Sequence, residues 1–185
     1  MKPTEILIKE HRVIECGLDC LMKLIEQSEA AGKLDAEAAR KVCDFLRAYA
    51  DKYHHGKEEA QLFPLMKTKK GFSGGCSPVM VMIREHELGR LYVGGMESHI
   101  AGAAQGDADG LRWFIENAKS YMRLLREHIK KEDHCLFPAA NRSLTDEDQS
   151  SLLQAFAKVD SEGVSERYLP IVNQLAEHFG VPRSR

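Results

Sequence analysis

His54-His55-Gly56-Lys57-Glu58-Glu59-Ala60-Gln61-Leu62-Phe63-Pro64 returns later in the chain as His128-Ile129-Lys130-Lys131-Glu132-Asp133-His134-Cys135-Leu136-Phe137-Pro138. Aligned on Leu-Phe-Pro, His54 falls on His128 and Glu58 on Glu132, so each copy is H-x-x-x-E. On a helix, that spacing sets the histidine and the carboxylate one turn apart on one face. Upstream, Lys9-Glu10-His11 is echoed by Arg84-Glu85-His86. His11 and His54 are 43 positions apart, His86 and His128 42. The chain therefore reads as a doubled unit in which each half brings one lone histidine and one H-x-x-x-E.

Outward from these stretches the hydrophobic pattern is helical almost throughout, with no alternating strand pattern. Thr4 is the expected N-cap of a first helix whose inward stripe is Leu7, His11, Ile14, Leu18, Leu21, Met22 and Ile25, fading near Gly32. Asp35 is expected to cap a second helix that Pro64 ends or kinks. Ser77 or Pro78 opens a third, weakened at Gly94-Gly95, and Asp107 or Asp109 caps a fourth. Lys67 to Ser77, basic and then Gly-rich, is expected to be a mobile surface loop. Thr145 starts a fifth helix with acids in its first turn, and Glu166 to Phe179 is helical despite Pro170.

The predicted fold is all-α: an up-down-up-down four-helix bundle over residues 1–140. Residues 141–185 form C-terminal helices packed on the bundle as part of the same domain. In an antiparallel bundle the starts of helices one and three share an end with the Leu-Phe-Pro termini of helices two and four. At ~1.5 Å per residue, all four histidines then lie roughly 10–14 Å from that end, in one layer.

The 185 residues suffice for one well-buried core, and 43% hydrophobic with 29% charged is ordinary for a globular chain. A formal charge of −2 makes no electrostatic case for nucleic acid or membrane partners. No apolar run is long enough to span a bilayer and no signal peptide is visible, so the expected location is cytoplasmic. Cys16, Cys20, Cys43, Cys76 and Cys135 are scattered without a zinc-type pair; Cys16 and Cys20 read as small core hydrophobes and Cys76 as the most reactive thiol.

Four imidazoles and two carboxylates in matched positions suit a pair of borderline first-row metals, and the lack of cysteine argues against structural zinc. Burying Glu58 and Glu132 without a cation would place like charges in a low-dielectric core. The expected ligands are His11, His54, His86 and His128 at the ends, with Glu58 and Glu132 as bridges. Iron is the favoured metal, with manganese or zinc the fallback.

The pattern H…HxxxE…H…HxxxE, with Leu-Phe-Pro after each second element, resembles the hemerythrin-like (HHE cation-binding) domain family over about residues 4–140. The resemblance implies a bundle holding a non-haem di-iron centre bridged by oxo or hydroxo, with those six residues as ligands. It further implies a small-molecule ligand (oxygen, nitric oxide or peroxide) in oxidative or nitrosative stress protection or sensing. The chain departs from the oxygen carriers, which place a second histidine four residues after the third-helix ligand; Arg90 stands there. The four-histidine, two-glutamate set resembles the repair-of-iron-centres and iron- or oxygen-sensing branches instead. Alternatives are an iron storage or sensing module without turnover, and a peroxidase or NO reductase drawing on an external electron donor, since no flavin or nicotinamide motif is visible.

Around this set, His55 is a possible further ligand, and His55 with Glu59 forms an alternative register that pairs with Ile129 in the second copy. Glu15 and Glu85 are expected to hold His11 and His86 from behind. Tyr53 and Tyr121 read as core aromatics able to reach a bound ligand. His99, His134 and His178 read as solvent-facing, and Lys67, Lys69 and Lys70 as a solvated loop.

Overall fold

Pro3, whose fixed φ suits a first helical position, begins α1 (Pro3–Ala31). The cap is Lys2, not Thr4: the Lys2 backbone N–H donates to Glu5 Oε2 at 2.9 Å, while Thr4 is buried in the first turn and donates to Asn141 Oδ1. In the computed structural model, which describes residues 1–75 and 77–183, α1 ends at Gly32 in the left-handed conformation (φ 66°). Asp35 then accepts from the Glu37 and Ala38 N–H groups to start α2 (Ala36–Phe45). The rod runs on through π-helical segments Leu46–His55 and Glu58–Leu62 into α3 (Phe63–Lys67).

Pro64 does not end this rod. Proline lacks an N–H and its ring crowds the carbonyl four residues back, and the widened turn before it gives way to both demands. The Phe63 N–H reaches back five residues to Glu58 O. The second copy repeats the device. After α4 (Pro78–Ala104) and α5 (Ala108–Lys131), the π segment Glu132–Leu136 carries the Phe137 N–H to Glu132 O and leads into α6 (Phe137–Ser143). Ser77 and Asp107 cap α4 and α5 with their side chains. Two C-terminal helices follow: α7 (Asp146–Asp160), capped by Thr145, and α8 (Val164–Phe179), which continues through Pro170.

α1, the α2–α3 rod, α4 and the α5–α6 rod make an all-α antiparallel bundle; no strand occurs among the described residues. Gly17 lets α1 and α2 approach closely, since a Cβ there would lie 2.3 Å from the Phe45 ring. Gly95, within an unbroken α4, does the same against Asn117 of α5. The inward stripe of α1 is buried as the spacing predicts, with one exception: Met22 is 37% exposed, on the outer face. α8 lays Tyr168, Val172, Leu175 and Phe179 into the main apolar cluster with α1 and α2, and α7 adds Leu152 and Phe156 to a second cluster around Leu7, Phe63 and Phe137.

The loop after α3 is tied down. Phe72 is buried in that second cluster, and Lys69 donates to Asp148 at 2.6 Å. Cys16, Cys20 and Cys43 are buried and Cys135 is exposed; Cys76 lies outside the described residues. Among the described residues no helix is long and apolar enough to cross a membrane.

Candidate metal centre

Between the two apolar clusters lies a polar layer. His11, His54, His86, His128, Glu58 and Glu132 are each no more than 2% exposed. Each carboxylate faces one imidazole of its own rod and one from the other half of the chain. Glu58 lies 3.8 Å from His54 Nε2 and 3.5 Å from His86 Nε2. Glu132 lies 3.2 Å from His128 Nε2 and 3.3 Å from His11 Nε2.

The far side of every ring is held by an acid. His11 Nδ1 lies 2.6 Å from Asp133 Oδ1, and His86 Nδ1 lies 2.7 Å from Glu59 Oε1. His54 Nδ1 is 2.9 Å from Glu10 Oε2, and His128 Nδ1 is 2.9 Å from Glu85 Oε2. A carboxylate behind Nδ1 fixes the tautomer with the proton on that nitrogen, leaving the Nε2 lone pair aimed inward. The phenyl rings of the Leu-Phe-Pro motifs close the layer across the halves, Phe137 stacking on His11 and Phe63 on His86.

These supporting acids differ from the expected ones. Glu15 pairs with Arg12 on the surface at 3.0 Å and does not hold His11. Glu85 stands behind His128, not His86. The physical reason is that an Nδ1 aimed away from the bundle axis meets the neighbouring helix before it meets its own next turn. The signal was in the repeat. Glu10 and Glu85 precede the lone histidines, Glu59 and Asp133 follow the inward glutamates, and the structure respects that two-fold correspondence at every one. Lys57 and Lys131 extend it, donating to Glu10 and Glu85 respectively.

His55 joins the layer. It is buried, stacked on His86 with ring centroids 3.8 Å apart, and both of its nitrogens lack a hydrogen-bond partner. Its register partner Glu59 is the acid behind His86. Arg90 stays outside the layer, donating to Asp51 at 2.8 Å and Glu59 at 2.7 Å. Five imidazoles thus converge, although position 90 is not histidine. Tyr53 is turned away, its hydroxyl donating to Asp160 at 2.6 Å. Tyr121 lines a narrow cleft with Gly89, Val93, Leu124 and Leu125 that reaches His55, His86 and His128. His134 and His178 are exposed, whereas His99 is half-buried and donates to Gly95 O.

The layer is not self-sufficient. His11 Nε2, His54 Nε2, both His55 nitrogens and all four oxygens of Glu58 and Glu132 are buried without a hydrogen-bond partner. At ~1–3 kcal/mol for each such atom, the set rivals the roughly 5–15 kcal/mol that holds a whole domain folded. Burial and the Glu132 charge push the Glu58 carboxyl well above the usual carboxylate range. Burial acts the same way on Glu132, but His128 and His11 hold it well below. His54 is lowered by burial and by the cationic forms of its neighbours. Burial alone would lower His128, yet Glu132 and Glu85 raise it to about 9. Without a cation, protons must do the neutralising. A cation would satisfy the lone pairs and the carboxylates together, and the donors fall into two overlapping groups: His11, His54, Glu58 and Glu132, and His55, Glu58, His86 and His128.

Residues 2–140 match the family model described as the hemerythrin HHE cation binding domain. An uncharacterized protein of Mycobacterium bovis and two of Mycobacterium tuberculosis strains are each 24% identical over 136 residues. Those matches take in 73% of this chain and 52% of each relative, so the chain spans about half the length of the curated relatives it matches. No solved structure matches.

Proposed function

Because the chain belongs to the hemerythrin HHE cation-binding family, its layer of histidines and glutamates is a metal site in kind, and we propose that it holds two iron ions and binds or reacts with a small ligand. The ligand would be oxygen, nitric oxide or peroxide, in a cytoplasmic stress-protection or sensing role. His11, His54, His86 and His128 would hold the ions singly and Glu58 and Glu132 would be shared between them. The observation that carries this reading is the set of buried Nε2 lone pairs and carboxylate oxygens that no protein group satisfies. Iron is the favoured metal for this mixed imidazole and carboxylate donor set, with manganese or zinc the fallback, since the affinity order does not by itself select iron.

When bound, such a pair of ions supplies open coordination positions and redox chemistry. The chain's own residues do the rest. Asp133, Glu10, Glu59 and Glu85 orient the imidazoles through Nδ1, which raises the basicity of the inward nitrogen. The narrow cleft along Gly89, Val93, Tyr121 and Leu125, with Arg47, Asp51, Glu85 and Arg90 also in its wall, suits a small molecule and disfavours a large one. Any turnover would draw its electrons from an external donor. The same unsatisfied atoms support a second reading, a module that reports iron by folding around it, without turnover.

Aerobic purification followed by elemental analysis and an absorption spectrum tests the site. Two iron equivalents with oxo-bridge bands are expected, and less than one equivalent of any transition metal would remove the proposal. Stopped-flow mixing of the reduced protein with peroxide, oxygen and nitric oxide then separates reaction from sensing. A response to none of the three leaves only the sensing module.

A further inference from the structure

We infer that His55 is itself a metal ligand, so that the two ions sit in unlike surroundings: two imidazoles at one, three at the other. The inference rests on the two-metal reading above and goes beyond the six matched residues. A buried histidine is ordinarily a hydrogen-bonded core residue, and His55 is not one. It is 4% exposed, and neither ring nitrogen has a hydrogen-bond partner. Its ring lies face to face with His86 at 3.8 Å and 11°, so both imidazoles address the same space. It falls in a group with Glu58, His86 and His128 whose donor atoms all lie within 4.8 Å of one another.

An acid also stands behind this ring, on its own helix and farther off than the 2.6–2.9 Å of the other four. Asp51 Oδ1 lies 3.5 Å from His55 Nδ1, the side on which the other histidines meet their carboxylates. Arg90 joins this acid to the one behind His86, donating to Asp51 and Glu59 from a single guanidinium. With Nδ1 turned to Asp51, His55 Nε2 is left as a bare lone pair in the layer, as it is for His11 and His54, while the Nε2 atoms of His86 and His128 lie 3.1 Å from each other.

The two-fold mate of His55 is Ile129. The other four histidines, the two glutamates and the acids behind those four rings all have chemical equivalents in the other half, whereas His55 and Asp51 fall on Ile129 and Leu125, so this position breaks the symmetry. An ion beside His55 gains a neutral donor that the ion beside His11 and His54 lacks. The two positions therefore fill in sequence, with the three-imidazole position first.

The test is cobalt(II) binding to the full chain, read by titration and by proton NMR. A histidine bound through Nε2 shows its Nδ1–H as a strongly shifted, solvent-exchangeable resonance, so the count of such signals counts ligated imidazoles. Two equivalents and five signals are expected for the natural chain. His55→Ile, which installs the residue of the other half, should keep two equivalents, show four signals and weaken the tighter binding step at least about tenfold. Two equivalents with only four signals in the natural chain overturns the inference and leaves the two-metal reading standing. Uptake of less than one equivalent ends that reading, and this inference with it. Should His55→Ile fail to fold, the signal count in the natural chain decides alone.

Discussion

Lys57 and Lys131 occupy the same place in the two copies of the motif, and each donates to the acid behind the histidine of its H-x-x-x-E, Glu10 or Glu85. Their surroundings differ. Lys57 has no exposed side-chain surface, lies 3.9 Å over the Tyr53 ring and also donates to Asp160, the last residue of α7. The Lys131 side chain is 42% exposed. The two C-terminal helices cover the first half and leave the second bare, and it is the bare side, along α4 and α5, that carries the cleft to His86 and His128. Two matching stretches of sequence thus lie on a helix-covered face and a bare one, and the residues after 140 make the difference.

The largest expected effect is metal removal. Chelation should lower unfolding stability by roughly 5 kcal/mol or more, because the buried lone pairs and carboxylates then have only protons to neutralise them. Hydrogen exchange should show protection lost first in α5, on the bare side, and later in α2. Equal loss in both rods would erase the distinction between the faces.

Next come the paired lysines. Lys57→Ala should cost about 3–5 kcal/mol, since it strands Glu10 in a buried setting beside His54. Lys131→Ala, at a half-exposed pair, should cost less than about 1 kcal/mol. Denaturant unfolding of the two variants side by side measures the gap, and matched losses would mean that α7 seals nothing.

The chelated protein should also respond to pH unequally in the two halves. His128, raised to about 9, contributes stability that is complete below its unfolded value near 6.5 and is lost as pH climbs through about 9. His54, its mate, is depressed by burial, and so removes stability only as pH falls below that unfolded value. Unfolding midpoints of the chelated protein between pH 6 and 10 should therefore fall with rising pH, and His128→Gln should flatten the slope where His54→Gln does not.

The smallest contrast is at the helix crossings. Gly17→Ala meets the fully buried Phe45 ring and should cost about 1–3 kcal/mol. Gly95→Ala meets only the amide end of Asn117, which can rotate away, and should stay within about 1 kcal/mol. Thermal melts of both variants with metal bound would show whether the α1–α2 contact is the tighter one.

The bundle was legible because its signals are periodic, and the six inward donors because they are periodic and doubled. Residues whose partners come from another rod were not. Glu15 is one turn from His11 and so looked like its support, but helical spacing says nothing about what a neighbouring helix presents, and Asp133 takes that place. Met22 fits the inward stripe by count and still faces out, where the stripe of a long helix drifts off the core. His55 was overshadowed because alignment of the copies sets it against Ile129, and a comparison that rewards sameness passes over the position where the halves differ.

The two π turns have a mechanical consequence. Had Pro64 and Pro138 stopped their helices, the glutamates would hang near the tips of cantilevers, free to sway with every fluctuation at the bundle's end. Because the widened turns let the rods run on to Lys67 and Ser143, the donors of both H-x-x-x-E stretches are instead carried within the span, like a load on a beam propped at both ends. Deleting residues 65–67 or 139–143 would pull out one prop while leaving every donor in the sequence.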